Sequence, residues 1–392
     1  ERLNDFQFKG QSNVLAALKV LAPREALYVA TDAKDKAPFD GIAEAGHRVV
    51  TLEDALVAAA ARRRNASLPR HVAVAANDVA MTEGEAAAVA RNREIGRELR
   101  RGGPRLVVSR SDSTLRGHFP AEVDALFQVI PIPYEASVSY GGGTADGPKT
   151  ILEASWQLEQ WDGKSIPGQE GIFTHAPIDC SGEPADVIEA IGQVIRRVIE
   201  RGQIPVGIGG EHTVTYGLIK GMLDAGERDF GVVQIDAHAD LRDRYEDNPY
   251  SHASVMKRIV DEGIPLLQLG IRAICEEEMQ TRKEFGIAHY DAEALVPTNV
   301  SSVQLPEGFP KRIFFTVDVD GLDPSVFPST GTPVPGGLGW YQSLSLIESV
   351  ASQAEIIGFD LTEFAPIEGF HAYQFSASVL LYKMMGIVQR SR

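Results

Sequence analysis

The feature that most constrains this chain is a set of four apolar segments that each run into a cluster of polar side chains. These segments are residues 204–208, 230–235, 312–317 and 355–359, and a helix-like stretch, 213–223, follows the first. Continuous apolar strands that alternate with helices are typical of a parallel sheet covered on both faces. We therefore expect an α/β fold of three layers, α/β/α, with a mostly parallel central sheet. The four polar clusters should share the edge formed by the carboxyl ends of the strands, where such sheets bind ligands.

The polar clusters carry metal-ligand side chains at a spacing that suits extended backbone. Three of them, Asp236, His238 and Asp240, occupy alternate positions after the second segment, and Asp318 and Asp320 do so after the third. Alternate residues of an extended chain project to the same side. Together with the histidine of Gly-Gly-Glu-His after the first segment, they give two imidazoles and four carboxylates: His212, Asp236, His238, Asp240, Asp318 and Asp320.

Four buried carboxylates need a compensating positive charge, because an unpaired buried charge is strongly unfavourable. The motifs contain no lysine or arginine that would supply it. A pair of divalent cations would supply this positive charge. Carboxylate and imidazole ligands without thiolate favour manganese over zinc, with nickel, iron and cobalt remaining compatible.

Composition excludes several classes of partner. The net charge of −16 disfavours nucleic acid, since phosphate binding needs a basic surface. No apolar run of about eighteen residues and no secretory signal is visible, so we expect no membrane contact and a cytoplasmic location. The two cysteines, Cys180 and Cys275, fit ordinary thiols in a reducing compartment.

Charge divides the chain into two parts. Residues 1–128 contain 19 Lys and Arg against 17 Asp and Glu, a balance of +2, whereas residues 129–392 contain 19 against 37, a balance of −18. We predict a domain in each part. The first has strand-like segments at 26–30, 71–76 and 105–108 and helix-like segments at 53–64 and 83–101, which indicates a smaller α/β domain.

The distinctive motif of the first part is the string from Ser109 to Pro120, which directly follows a predicted strand. Its hydroxyls, one aspartate and two arginines would suit a hydroxy acid, with arginine pairing the carboxylate. With Asn92 to Ile95, it resembles the amino-terminal domain of the four-carbon acid sugar kinases. This chain lacks that family's Asp-Asp-x-Thr-Gly loop, and no nucleotide-binding domain follows Gln128; the loop from Gly142 to Lys149 fails the phosphate-loop pattern. We therefore expect a partial domain that binds a sugar acid or serves assembly.

The second part resembles the ureohydrolases, the arginase and agmatinase family, over residues 129–388. The resemblance rests on Gly-Gly-Glu-His, Asp-Ala-His-Ala-Asp, Ser-His-Ala-Ser, Asp-Val-Asp-Gly-Leu-Asp-Pro, Thr-Gly-Thr-Pro-Val-Pro-Gly-Gly and Asp-Leu-Thr-Glu in that order. It implies two Mn²⁺ per subunit and a homo-oligomer, a trimer or hexamer. It further implies one ion on His212, Asp236, Asp240 and Asp318 and the other on Asp236, His238, Asp318 and Asp320.

In such a site the two metals lower the pKa of a shared water, and the resulting hydroxide attacks the guanidinium carbon of the substrate. Asp240 is then expected to pass the proton to the leaving amine. Glu363 would pair with the planar guanidinium, and Thr332 matches a substrate-contacting position of the family. His252 is expected to shuttle protons between the site and solvent.

The substrate is expected to be a small cationic guanidino compound. Arginases hold the substrate's α-carboxylate with an asparagine two residues beyond the Asp-Ala-His-x-Asp motif, and this chain has Arg242 there. This disfavours arginine. Agmatine, hydrolysed to putrescine and urea, is the first expectation because the motifs most resemble the agmatinase branch of the family. Guanidinobutyrate or another ω-guanidino acid is the alternative, with Arg242 or Arg244 as the carboxylate anchor.

Overall fold

The computed structural model describes residues 125–392 in full and, before them, the backbone of four strands at 26–31, 48–51, 71–76 and 107–110. The chain divides into two units, a smaller amino-terminal one and a larger one that contains residues 125–392. In these described parts, no helix is both long and apolar enough to cross a membrane.

The smaller unit contains a parallel four-stranded sheet. Its strands are β1 (Ala26–Thr31), β2 (Arg48–Thr51), β3 (His71–Ala76) and β4 (Val107–Arg110), in the order β2-β1-β3-β4. The strands predicted at 26–30 and 71–76 are confirmed, the third lies two residues later than predicted, and β2 was not predicted. The predicted helices at 53–64 and 83–101 lie outside the described residues, as does the motif beyond Arg110.

The larger unit is built on eight parallel strands, which confirms the predicted fold class. The bounds of the eight strands are β5 Phe127–Ile132, β6 Ile172–Thr174, β7 Ile204–Gly209, β8 Gly231–Ile235, β9 Leu266–Leu269, β10 Ala288–Tyr290, β11 Arg312–Asp318 and β12 Glu355–Thr362. Their order in the sheet is β10-β9-β8-β11-β12-β7-β5-β6. The four predicted apolar strands are β7, β8, β11 and β12, and they lie side by side in the middle of the sheet.

Helices cover the sheet on both faces. The described helices are α1 Gly147–Ala154, α2 Pro184–Ile199, α3 Val214–Asp224, α4 Val255–Asp261, α5 Glu276–Phe285, α6 Ala292–Leu295, α7 Trp340–Ala351 and α8 Ala372–Ser391. Apolar side chains of α1, α7 and α8 belong to one core, and those of α2, α3 and α4 belong to the other. Each strand supplies both cores by alternation: Ile313 and Phe315 of β11 pack in the first core, and Phe314 packs in the second.

Strand β5 spans the predicted boundary between the units. The change of composition placed that boundary after Gln128, but β5 begins at Phe127 and pairs with β7 from its first residue. Phe127 and Gln128 therefore belong to the larger sheet. Composition did not reveal this because both residues are uncharged, so the charge balance that indicated the boundary does not change at either of them.

The loop after β7 depends on a close backbone approach. Gly210 donates its N–H to Ile132 O at 2.8 Å, and the next residue, Glu211, donates to Tyr134 O at 2.8 Å. A Cβ on Gly210 would lie 2.0 Å from Tyr134 O, which is far inside van der Waals contact. Because the obstructing atom is backbone, it cannot rotate away. Glycine at this position allows the loop to place the next two side chains at the sheet edge.

We expect Gly210→Ala to lower the free energy of unfolding by about 1–3 kcal/mol, the usual cost of forced overpacking. Chemical denaturation of the purified chain measures this. Gly168→Ala is the matched control, because its Cβ would meet only Tyr382 Oη at an ordinary 3.7 Å. Equal stability of the two variants would contradict the steric requirement at Gly210.

Candidate metal centre

Four neighbouring strands end at the same place and deliver charged side chains to it. Glu211 and His212 follow β7, Asp236 directly follows β8, Asp318 ends β11, and Glu363 directly follows β12. The strands are parallel and adjacent, so these side chains meet at the carboxyl edge of the sheet, as predicted.

A first group of metal-ligand atoms forms around His212. Its Nδ1 lies 3.1 Å from Asp236 Oδ2, 3.0 Å from Asp240 Oδ2 and 3.5 Å from Asp318 Oδ2. All four side chains are buried. His212, Asp236 and Asp318 have one ligand atom each within a common 4.8 Å, which is close enough to hold a cation.

A second group forms around His238. Its Nδ1 lies 3.0 Å from Asp320 Oδ2 and 3.7 Å from Asp236 Oδ1. Asp236, His238 and Asp320 again offer ligand atoms within 4.8 Å of one another. Asp236 is thus common to both groups, with Oδ2 toward the first and Oδ1 toward the second.

The two groups contain five of the six predicted ligands, and they differ from the implied sets in two details. Asp240 approaches His212 without joining a group, and Asp318 joins only the first. Asp318 Oδ1 accepts a 2.9 Å hydrogen bond from the backbone N–H of Asp320, which holds that oxygen within its own loop.

The donor set fits a divalent cation. His212 Nδ1 is completely buried and has no hydrogen-bond partner, although three carboxylates surround it. A buried ring nitrogen without a partner is costly unless a cation accepts its lone pair. Oxygen and imidazole donors without thiolate suit manganese and similar hard or borderline ions.

The far side of His212 fixes which nitrogen faces the carboxylates. Its Nε2 lies 2.9 Å from Thr316 Oγ1, and Thr215 Oγ1 donates to Asp360 Oδ2 at 2.7 Å alongside. Burial raises the pKa of Asp360 to about 6. A hydroxyl partner on Nε2 leaves Nδ1 free for a cation, as outer hydrogen bonds of metal-binding histidines do. Asp360 lies within β12, so this strand runs further than the predicted 355–359.

Asp240 and Glu363 both have left-handed backbone, with φ of 54° and 61°. Non-glycine residues adopt such angles at a cost, and they persist where surrounding contacts hold them. Asp240 O accepts from Met256 N at 3.0 Å, and Glu363 N donates to Gly210 O at 2.8 Å. These bonds turn both side chains into the site.

Glu363 also supports His212 directly, because its Oε1 accepts the backbone N–H of His212 at 2.7 Å. Burial raises the pKa of Glu363 well above its usual value, and the negative charge of Glu211 adds to this. A carboxylate held in such surroundings gains strongly from a cationic partner such as a guanidinium.

Three residues predicted to contact the substrate, besides Glu363, differ in their surroundings. Thr332 Oγ1 donates to Asp320 Oδ2 at 3.3 Å, so Thr332 touches the second group. The guanidinium of Arg242 lies over the ring of Tyr245, 5.6 Å from its centroid. Arg244 is exposed, and its Nε lies 3.6 Å from Asp243 Oδ2.

His252 is held by two serines rather than being a free surface residue. Its Nδ1 lies 3.0 Å from Ser137 Oγ and its Nε2 lies 2.7 Å from Ser139 Oγ. Its ring also meets the ring of Tyr245 edge-on, at 5.8 Å between centroids. Burial lowers the pKa of His252 below its ordinary value.

Arg272 is a supporting residue that sequence reasoning missed. Its guanidinium does not pair with the carboxylates; Nη2 donates to the backbone carbonyls of Asp320 at 2.6 Å and of Val334 at 2.7 Å. It therefore joins the loop of the second group to the loop after Thr332. The sequence signal was an arginine three residues beyond the apolar strand β9.

Residues 125–386 match the Arginase family, and residues 39–138 match the Sugar-binding N-terminal domain. The chain is 40% identical over 272 residues to the N(1)-aminopropylagmatine ureohydrolase of Synechocystis sp., covering 67% of this chain and 89% of that protein. It is 32% identical over 245 residues to an agmatinase of Bacillus anthracis, covering 61% of this chain and 83% of that protein. Among solved structures, the agmatine ureohydrolase of Thermoplasma volcanium superposes with a TM-score of 0.60 at 28% identity, covering 68% of this chain and 90% of that one.

The two groups predict how many metal ions each acidic side chain controls. Because Asp236 belongs to both, we expect Asp236→Asn to lose both ions and Asp320→Asn to lose one, as measured by elemental analysis after gel filtration of Mn²⁺-loaded protein. Asp243→Asn, an exposed acid outside both groups, is the control and should keep two. Equal metal content in the Asp236 and Asp320 variants would contradict a shared ligand.

Metal binding should strengthen with rising pH. Burial disfavours the charged form of His238, but hydrogen bonds to Asp236 and Asp320 outweigh it and raise its pKa to about 12. At neutral pH a cation must therefore displace a proton from this ring. We expect the apparent affinity to weaken roughly tenfold per pH unit of acidification for each proton displaced. Calorimetry in buffers of different ionisation enthalpy counts these protons, and a count of zero would refute the prediction.

Proposed function

We propose that this chain, which belongs to the Arginase family, holds two manganese ions and releases urea from a cationic guanidino amine. The observation that carries the proposal is the pair of ligand groups that share Asp236, with Glu363 held next to them by the backbone of His212. The proposed substrate is agmatine or its N1-aminopropyl derivative, which the names of the similar proteins favour.

The residues that would hold the first ion are His212 and Asp318 with Asp240 at the side, and those for the second are His238 and Asp320. Asp236 would serve both. Two divalent ions supply, when bound, a water of lowered pKa as the nucleophile at neutral pH.

Glu363 is proposed to bind the guanidinium. A carboxylate matches the paired N–H groups of this planar cation, and the fixed Oε1 orients the group. The positive charge of the substrate would also relieve the repulsion between Glu363 and Glu211. Pairing with Glu363 would hold the guanidinium carbon next to the two metal-ligand groups.

Asp240 is proposed to carry the proton from the attacking water to the leaving amine. Its Oδ2 lies 3.0 Å from His212 Nδ1, and burial together with the charge of Asp236 raises its pKa to about 7. A carboxyl group of near-neutral pKa both accepts and returns a proton efficiently. His252 would then exchange protons with solvent beside the exposed Ser139.

The loop after Asp240 is proposed to face the far end of the substrate. It exposes Asp243, Glu246 and Asp247, which are suited to attract a distal ammonium group. Arg242, in the same loop, lies over the ring of Tyr245. It would bind the carboxylate if the substrate were guanidinobutyrate.

The deciding experiment is urea release by Mn²⁺-loaded protein with N1-aminopropylagmatine, agmatine, guanidinobutyrate and arginine compared side by side. We expect the two amines to be preferred. Glu363→Gln should lower kcat/KM for the preferred substrate roughly 10- to 150-fold, because a hydrogen bond to a charged group contributes about 1.5–3 kcal/mol.

Glu368→Gln is the matched control, since Glu368 is an exposed acid in the loop that follows Glu363 and has no role in the site. Its kinetics should equal those of the parent. Urea mainly from guanidinobutyrate would reassign the substrate class and the role of Arg242. No urea from any of the four compounds, with two ions bound, would refute the proposed function.

A further inference from the structure

Glu211 is a buried carboxylate that the proposed chemistry does not use. It receives four hydrogen bonds: the backbone N–H groups of Ala136 and Ser137 reach its Oε2 at 2.7 Å each, and the hydroxyls of Ser137 and Thr213 reach its Oε1 at 2.8 and 2.7 Å. Such a complete set of donors holds the carboxylate in one orientation. Its neighbour in sequence, His212, is a metal-ligand residue, but the Glu211 side chain contacts a different loop.

Ser137 connects Glu211 to His252. The Ser137 hydroxyl lies 3.0 Å from His252 Nδ1, and the backbone N–H of His252 donates to the same oxygen at 3.0 Å. Thr213 adds a second link, because its single hydroxyl proton is shared between Glu211 Oε1 at 2.7 Å and the carbonyl of Tyr250, two residues before His252, at 3.0 Å. Glu211 therefore contacts the loop before α1 directly and the loop before α4 through two hydroxyls.

One arrangement of the hydrogen atoms satisfies every contact to the Ser137 hydroxyl. The Ser137 hydroxyl has a single proton, and the carboxylate of Glu211 accepts it. Both lone pairs of that oxygen are then left to accept, one from the His252 backbone and one from Nδ1–H. The neutral ring of His252 must consequently carry its proton on Nδ1 and leave Nε2 unprotonated, facing the exposed Ser139 hydroxyl at 2.7 Å.

We propose that Glu211 is a positioning residue that, through Ser137, fixes the proton of His252 on Nδ1 and so presents Nε2 as the basic nitrogen on the open side of the site. The value of this arrangement for catalysis rests on the proposed function, in which His252 exchanges protons with solvent. The arrangement itself does not depend on that function, because it follows from the donors and acceptors alone.

A competing contact gives the proposal its sharpest control. Ser251 Oγ lies 3.4 Å from His252 Nδ1 and would favour the opposite tautomer if it donated there. It is farther away than Ser137, and it accepts the N–H of Ala253 at 3.4 Å as the cap of the short helical turn 252–254. Removing the Ser251 hydroxyl should therefore leave the tautomer unchanged.

Glu211→Gln tests the proposal because it keeps the shape of the side chain but replaces the oxygen that accepts from Ser137 with an amide nitrogen that donates. The amide oxygen still accepts the two backbone N–H groups, but the amide nitrogen now donates to Ser137 Oγ. The Ser137 proton then turns to His252 Nδ1, and the ring must carry its own proton on Nε2. Long-range ¹H–¹⁵N spectra of the full chain, labelled at histidine and loaded with diamagnetic Zn²⁺, distinguish the two tautomers. His252→Asn assigns the signal.

We expect the Nδ1–H form in the parent, in Ser251→Ala and in Ser137→Thr, which keeps the hydroxyl, and the Nε2–H form in Glu211→Gln. With Mn²⁺, Glu211→Gln should lower kcat roughly 10- to 100-fold, the usual effect of losing an outer hydrogen-bond partner, with KM nearly unchanged and two ions retained.

An unchanged His252 tautomer in Glu211→Gln would overturn the proposal, and so would a changed tautomer in Ser251→Ala. Loss of bound metal in Glu211→Gln, with an unchanged tautomer, would instead assign Glu211 a purely structural role beside His212. Absence of urea release from every guanidino compound would refute the proposed function, whereas the tautomer measurement reads the positioning role independently of it.

Discussion

Mutual repulsion between buried carboxylates governs the architecture of the larger unit. Asp236, Asp240, Asp318 and Asp320 lie together at the carboxyl edge of the sheet, where water does not screen them. Two imidazoles lie between them at 3.0–3.7 Å, and each exposes Nδ1 to the carboxylates. Such a cluster needs protons or metal cations to offset the charge and a rigid scaffold to hold the ligands. Eight parallel strands with a core on each face form that scaffold.

The loop between β7 and α3, residues 210–213, joins the ligand groups to the residues around them. Gly210 lies so close to the backbone of the loop that follows β5 that only glycine fits at this position. The carboxylate of Glu211 accepts the hydroxyl of Ser137, which in turn contacts His252. The ring of His212 belongs to the first ligand group, and its backbone N–H donates to Glu363. Consecutive residues thus contact the His252 loop and the first ligand group, because a short turn after a strand points successive side chains in different directions.

The two units match two different families, the Arginase family and the Sugar-binding N-terminal domain. The larger unit contains every residue of the candidate site, and the Arginase family match, residues 125–386, lies within it. The proposed urea release therefore draws on residues of the larger unit. The two matches overlap at residues 125–138, which include β5 and the start of the loop that follows it.

The sequence by itself determined the fold class and which charged side chains gather at the carboxyl edge of the sheet. Apolar strands that end in Asp-x-His-x-Asp or Asp-x-Asp place hard ligands on one edge in any parallel sheet, since alternation is a property of extended backbone. Tertiary structure alone decided what surrounds them. The role of Asp236 in both groups, the serines on His252, the four donors on Glu211 and the carbonyls bound by Arg272 join residues far apart in the chain. Such contacts depend on the relative positions of loops, which no local pattern of residues encodes.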